Sequence, residues 1–284
     1  MRLILSWIRI LSVVLASWWN ANYQNPSTED VASLLHSSMD LIKQYRQAAD
    51  KSCFILGATG ESGKALVKEL VRLKPFHKVV LIGRRRVDYD NAELKQLDQR
   101  IVDFDHLENH RADFQGFDVG YCCLGTTRGK SGADGFVKVE HDYVVGAARL
   151  AKEGGLQHFH LVSSMGVNEN SFLLYGSTKG RTDREVSEMG FERTSVYRPG
   201  VLMVNREESR PLEAITRCVL KPVAYLAPTL ITTPIETLAR AMIMNTVLEQ
   251  PAGAEIVDNK RIHLLGNMLN NVDPHAIKDF KTEL

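Results

Sequence analysis

Several kinds of residue pattern are missing from this 284-residue chain. It has four cysteines, Cys53, Cys122, Cys123 and Cys218, two of them adjacent in an apolar stretch, and none has the spacing of a zinc-binding pair. That usage predicts reduced, buried thiols rather than a disulfide framework. An excess of one charge is missing as well. Lys and Arg total 35 against 34 acids, a formal net charge of +1, so neither a nucleic-acid groove nor a strongly acidic partner is expected. No short-period repeat is present. His106 and His110 stand near Asp103, Asp105 and Glu108, but "HLENH" lacks the order of a helical zinc motif, and no metal site is expected. The chain is 44% hydrophobic, enough for a sizeable core in one large domain.

No acid precedes Glu29. The stretch "MRLILSWIRILSVVLASWW" carries Arg2 and Arg9 among mostly apolar residues. Val14-x-Ala16 fits a signal-peptide cleavage pattern, although Arg9 splits the apolar run. The arginines and the lack of acids fit a mitochondrial presequence. Trp7, Trp18 and Trp19 fit a membrane-lying or short spanning anchor. A helix packed on the domain is the plain alternative. "NANYQNPSTED" reads as a linker, and Ser27 and Thr28 begin a helix expected to reach about Ala49. Residues 1–50 are thus read as leader or anchor, linker and helix, and residues 51–284 as the main domain.

From Ser52 a beat repeats: "SCFIL", a helix from Glu61 to Leu73, "KVVLIG", "RIVDF" from Arg100 to Phe104, and "DVGYCCLG". A helix ending at Gly154-Gly155 leads to "HFHLVSS", and another from about Tyr175 to Met189 leads to "TSVYRPG". Apolar strands alternating with helices predict an α/β fold, a Rossmann-type doubly wound parallel sheet with both faces covered. Beyond Gly200 the beat fades. "TPIETLARAMIM" predicts a helix with Thr233 as N-cap and Pro234 at its first position, and "EIVDNKRI" an edge strand.

Gly57, Gly60 and Gly63 give G-x-x-G-x-x-G between the first strand and its helix. One glycine permits the sharp turn, one lets backbone approach a pyrophosphate at the helix N-terminus, and one lets helix and strand pack closely. Thr59, Glu61 and Ser62, between them, are grouped with them as cofactor contacts. The second strand ends in "GRRR", Gly83 to Arg86, with no acid before Asp88. A carboxylate there would suit the ribose of NAD, whereas Arg84 and Arg85 can grip a 2′-phosphate, so NADPH is the expected cofactor. Asp103 and Phe104 are expected beside the adenine, and Leu124, Gly125 and Thr126 beneath the ribose. Ser163 and Ser164 end the fifth strand, and Tyr175 precedes Lys179 by one helical turn. An ammonium beside a phenol favours the phenolate, so Tyr175 could exchange a proton with a carbonyl or alcohol. A serine would hold the substrate oxygen, and Lys179 would also bond the nicotinamide ribose.

The set G57-A-T-G-E-S-G63, S163-S164, Y175-G-S-T-K179 and R198-P-G-V201 resembles the atypical branch of the short-chain dehydrogenase/reductase superfamily. With "LIGRRR" and "DVGYCCLGTTRGKSGADGF" it is similar to the Tat-interacting-protein oxidoreductase family, a metastasis-suppressor group, over about Leu34 to Pro274. The resemblance implies an NADPH-binding, mostly monomeric Rossmann fold and a catalytic set of Ser164, Tyr175 and Lys179, with Ser163 as the alternative serine. It also implies cofactor contacts at Leu202 and Arg210. The reaction class is hydride transfer to or from a small-molecule carbonyl or alcohol. The rival implication is a regulatory NADPH binder acting through protein partners in transcription and nuclear import. The N-terminal stretch departs from the family pattern. The expectation is a cytoplasmic domain, with membrane or mitochondrial association resting on residues 1–19 alone.

Overall fold

A computed structural model describes residues 28–203, 231–249 and 251–269. Residues 1–27, Cys218 and Arg210 lie outside the described residues, and with them the leader and one expected cofactor contact.

Seven strands form one parallel sheet: β1 (Ser52–Leu56), β2 (Lys78–Gly83), β3 (Asp98–Ile101), β4 (Val119–Cys122), β5 (His158–Val162), β6 (Arg193–Arg198) and β9 (Gly253–Asp258). Their spatial order is β3-β2-β1-β4-β5-β6-β9, and every neighbouring pair runs parallel. The order reverses between β1 and β4. That is where an open α/β sheet leaves a crevice outside the carboxyl ends of its strands. Two further strands, β7 (Val201–Met203) and β8 (Thr232–Pro234), pair with each other in a separate ribbon.

Strand β1 shows why both faces are covered. All five of its residues are buried, and the period of two sends them to opposite layers. Cys53 and Ile55 join one core with Leu66 of α2 (Glu61–Leu73), which follows α1 (Thr28–Ala48) in the chain. Short helices α3 (Ala92–Lys95) and α4 (Arg128–Val137) come after β2 and β4. Phe54 and Leu56 join the other core with Phe104, Phe159 and Ala147, the last from α5 (Tyr143–Glu153). Helix α6 (Leu174–Ser187) leads into β6, and Met242 of α7 (Ile235–Val247) completes the layer of Cys53 and Ile55. Burying a side chain such as Phe54 stabilises by about 1.5–3 kcal/mol. Helix α1 reaches this layer through buried Ile42, and Tyr45 meets Phe76 edge to face at 5.8 Å.

Three elements differ from the sequence reading. The third strand stops at Ile101, because Asp103 caps a 3₁₀ stretch, Phe104–Phe114, by accepting from the Asp105 N–H at 2.9 Å. Thr233 lies in β8 rather than capping α7, whose first residue is Ile235. Its hydroxyl oxygen instead accepts from the Gly200 N–H at 3.0 Å. "EIVDNKRI" is split: Asp258 ends β9 and caps α8 (Asn259–Asn267), accepting from the Arg261 N–H at 2.8 Å.

Candidate active site

The glycines make the turn that the site needs. Gly57 has φ +81°, and a Cβ there would stand 2.4 Å from the Cys123 carbonyl oxygen. Gly60 is the N-cap of α2 and contributes no side-chain cap, and a helix N-terminus of this kind favours an anionic group. Gly63 packs onto Gly57. A crevice of about 350 Å³ opens there, at the reversal of strand order. It is lined by Gly57, Thr59, Gly60, Arg84, Arg85, Phe104, Leu124 and Gly125 of the expected contacts. Both arginines are exposed.

Other expected contacts do not line this crevice. Glu61 sits at the start of α2 with Lys64 3.7 Å away, and Ser62 is half-buried in the same turn. The Thr126 N–H is committed to Glu140 Oε1 at 2.6 Å. Asp103 is occupied by its cap and by His106 Nδ1 at 2.8 Å, a bond that holds its carboxyl below the usual range. Leu202 lies in β7, partly exposed. In place of Asp103 the crevice gains Arg100, Ile101, Val139 and Tyr143. The basic turn has a support that sequence reading missed. The Gln99 amide accepts from the Val87 N–H at 2.8 Å and donates to the Val87 carbonyl at 3.0 Å, which pins the chain just after Arg86. Gln99 follows the start of β3 on an edge strand, where an amide gives no sequence signal.

Of the candidate catalytic residues, Ser163 and Ser164 follow the carboxyl end of β5, and Tyr175 and Lys179 lie on α6. The Ser163 N–H donates to the Tyr197 carbonyl at 2.7 Å. Its buried hydroxyl lies near the Asp183 carboxylate without reaching bonding geometry. Burial raises Asp183, against the opposing pull of Ser163 and Arg198, whose Nε donates to it at 3.0 Å. Ser164 is half-buried. Tyr175 is the second residue of α6 and is 49% exposed, its ring 5.8 Å from that of Phe136. Glycine at 176 and 180 lets the preceding loop lie on this helix; a Cβ on Gly180 would stand 2.2 Å from the Glu169 nitrogen.

Lys179, one turn beyond Tyr175, is buried and donates to Glu140 Oε2 at 2.8 Å. Burial works against its charge, but the Glu140 carboxylate more than offsets this, with smaller help from Tyr175 and Asp183, and the ammonium is held above the ordinary range. Glu140 was not legible as a site residue. It lies 39 residues from Lys179, in a π turn, Lys138–Asp142, inside a helical stretch.

The arrangement can seat a dinucleotide along the glycine turn, with a serine after the end of β5 and a tyrosine and a lysine on α6. A family model described as NAD(P)H-binding matches residues 57–214. Protein HTATIP2 of Rattus norvegicus is 46% identical over 217 residues, covering 76% of this chain and 90% of the rat protein. The chain belongs to this NAD(P)H-binding family. The mitochondrial protein FMP52 of Candida albicans is 36% identical over 164 residues, covering 57% of this chain and 71% of that protein. Among solved structures, MoeE5 in complex with UDP-glucose and NAD matches with a TM-score of 0.54 at 17% identity, over 73% of this chain and 75% of that one. A mutated uronate dehydrogenase matches with the same TM-score at 15% identity, covering 73% of each chain. These neighbours share the Rossmann-like sheet. Family membership carries an oxidoreductase-like, NAD(P)-binding fold to this chain. Among the described residues no helix is long and apolar enough to cross a membrane.

Proposed function

We propose that the chain is an NADPH-dependent oxidoreductase of the short-chain dehydrogenase type, acting on a small-molecule carbonyl or alcohol. The observation that carries this reading is the pairing of Tyr175 with Lys179 on one turn of α6, with Lys179 joined through Glu140 to Thr126, next to Leu124 and Gly125 of the glycine crevice. The residues present fit the cofactor: an uncapped helix N-terminus for a pyrophosphate and two exposed arginines for a 2′-phosphate. Bound NADPH would supply the hydride. The Tyr175 hydroxyl gives its proton to the carbonyl oxygen, or takes one from the alcohol in the reverse direction. Ser164 holds that oxygen by a hydrogen bond, and Lys179 keeps positive charge beside the phenol. The family resemblance would add Leu202 and, outside the described residues, Arg210 as cofactor contacts, and the chain acts as a monomer.

The test is turnover of NADPH with a panel of aldehydes, ketones and quinones. Turnover supports the reading. Tight NADPH binding with no turnover of any member would favour a regulatory binder acting through protein partners. The FMP52 relatives are named mitochondrial, and the basic, acid-free residues 1–19 would take this chain to the same organelle.

A further inference from the structure

Glu140 is as deeply buried as any charged group among the described residues, at 4% exposure. Both of its carboxylate oxygens are used. Oε2 accepts from Lys179 Nζ at 2.8 Å and Oε1 from the Thr126 N–H at 2.6 Å. Its backbone is fixed too, since the Thr182 hydroxyl donates to the Glu140 carbonyl at 3.0 Å. One side chain therefore ties the helix that carries Tyr175 and Lys179 to the loop Leu124–Thr126 after β4. The π turn over Lys138–Asp142 makes this possible. A widened turn changes the helical phase, and both Glu140 and His141 end up buried. Such turns recur at functional sites. Gly125 leaves the room, because a Cβ there would already stand 3.2 Å from Glu140 Oε1.

A buried ion pair is a poor device for stability, since desolvation consumes most of its attraction. Its usefulness here lies in what it does to the lysine. The groups that face Lys179 are Glu140 from the π turn, Tyr175 and Asp183 from its own helix, and Cys122 from β4. Asp183 is engaged by Arg198. Burial pushes the Cys122 thiol up to about 12, so it carries no charge. Glu140 is the carboxylate in hydrogen-bond contact with Nζ.

We infer that Glu140 is a positioning residue of the site, holding Lys179 both in place and in its charged form against the cofactor-side loop. The inference rests on the proposed role of Tyr175 and Lys179, and its test has an arm independent of turnover. In cofactor-free full-length protein, the Lys179 ammonium is followed by ¹⁵N NMR through a pH titration, its signal assigned with Lys179→Arg. In the unaltered protein its midpoint should lie above that of an ordinary lysine in spite of burial. Glu140→Gln should lower the midpoint by about 1–3 units, and Glu140→Asp should restore most of the loss. In turnover, the alkaline limit of activity should move down by the same amount in Glu140→Gln and return in Glu140→Asp. A carboxylate with a merely structural role would lower activity equally at every pH. An unmoved midpoint in Glu140→Gln overturns the inference. Should that variant not fold, a midpoint below the ordinary lysine value in the unaltered protein overturns it as well. If no carbonyl is turned over at all, the proposed reaction fails while the titration still decides what Glu140 does.

Discussion

Gly63 and Gly57 are in such close contact that a Cβ on Gly63 would stand 2.2 Å from the Gly57 carbonyl oxygen. The contact is backbone against backbone, so no side chain can turn aside to relieve it. It also explains a division of labour among the three glycines. Gly57 and Gly60 face the crevice, and Gly63 packs the helix onto the turn that they make.

Gly63→Ala should therefore displace α2 from the end of β1. Overpacking of a close-packed contact costs about 1–3 kcal/mol, and the displacement falls where a pyrophosphate would sit. The expected outcome is a lower urea midpoint together with weakened NADPH binding, measured by fluorescence titration. Unchanged affinity and stability would mean that the turn tolerates the extra carbon.

The proposed cofactor choice rests on the basic turn. NADPH should bind more tightly than NADH, because a charge-assisted hydrogen bond contributes about 1.5–3 kcal/mol, roughly tenfold to a hundredfold in affinity. Arg84→Ala combined with Arg85→Ala should erase the preference while leaving NADH affinity nearly unchanged. Calorimetric titration of both cofactors against both proteins reads this directly, and equal affinities in the unaltered protein would refute the role of the two arginines.

The glycine turn and the basic turn were legible in the sequence because each depends on a local requirement. A backbone at φ +81° calls for glycine at position 57, and a strand end without an acid shows its charge directly. The Tyr175–Lys179 pair was legible for the same reason, being one turn apart on one helix. Glu140 was not, since its partner is distant in sequence and the π turn alters the phase of its helix. Asp103 stands in "RIVDF", which reads as continuous strand. Its own capping bond ends the strand first and turns the carboxylate to other work. Thr233 has the composition of a cap, but strand pairing with Leu202 and the bond to Gly200 claim it. Local patterns cannot show the long-range partners of Glu140 and Thr233, whereas at Asp103 a cap two residues away outweighs the strand pattern.

The core beneath α7 carries a polar network that should make stability depend on pH. The rings of His158 and His160 lie against each other, tilted by 35° with centroids 3.8 Å apart. His158 Nε2 meets Ser195 Oγ at 2.9 Å, and His160 Nδ1 meets Tyr197 OH at 2.9 Å. Burial and then the Arg193 charge push His158 down to about 2, and burial, with His158 and Arg193 close by, pushes His160 well below its ordinary range. Both are neutral in the folded protein, whereas the unfolded chain takes up their protons near pH ~6.5. Their contribution is complete above pH ~6.5 and is lost as pH falls toward the folded values, at up to about 1.4 kcal/mol per unit for each histidine. Urea unfolding between about pH 7 and pH 5 should show the decline. His158→Gln with His160→Gln should flatten it, and an equal slope in that double variant would assign the acid sensitivity to other groups.

The central claim is that Tyr175 moves a proton during hydride transfer, and Tyr175→Phe tests it most directly. The substitution removes one oxygen from a ring that is half exposed beside Phe136, so the fold should be undisturbed. NADPH affinity and single-turnover rate are measured on the same preparation, with a carbonyl that the unaltered protein reduces. The expected result is a rate lower by about 10²–10⁴ with cofactor affinity changed only slightly. An undiminished rate in Tyr175→Phe would contradict the claim.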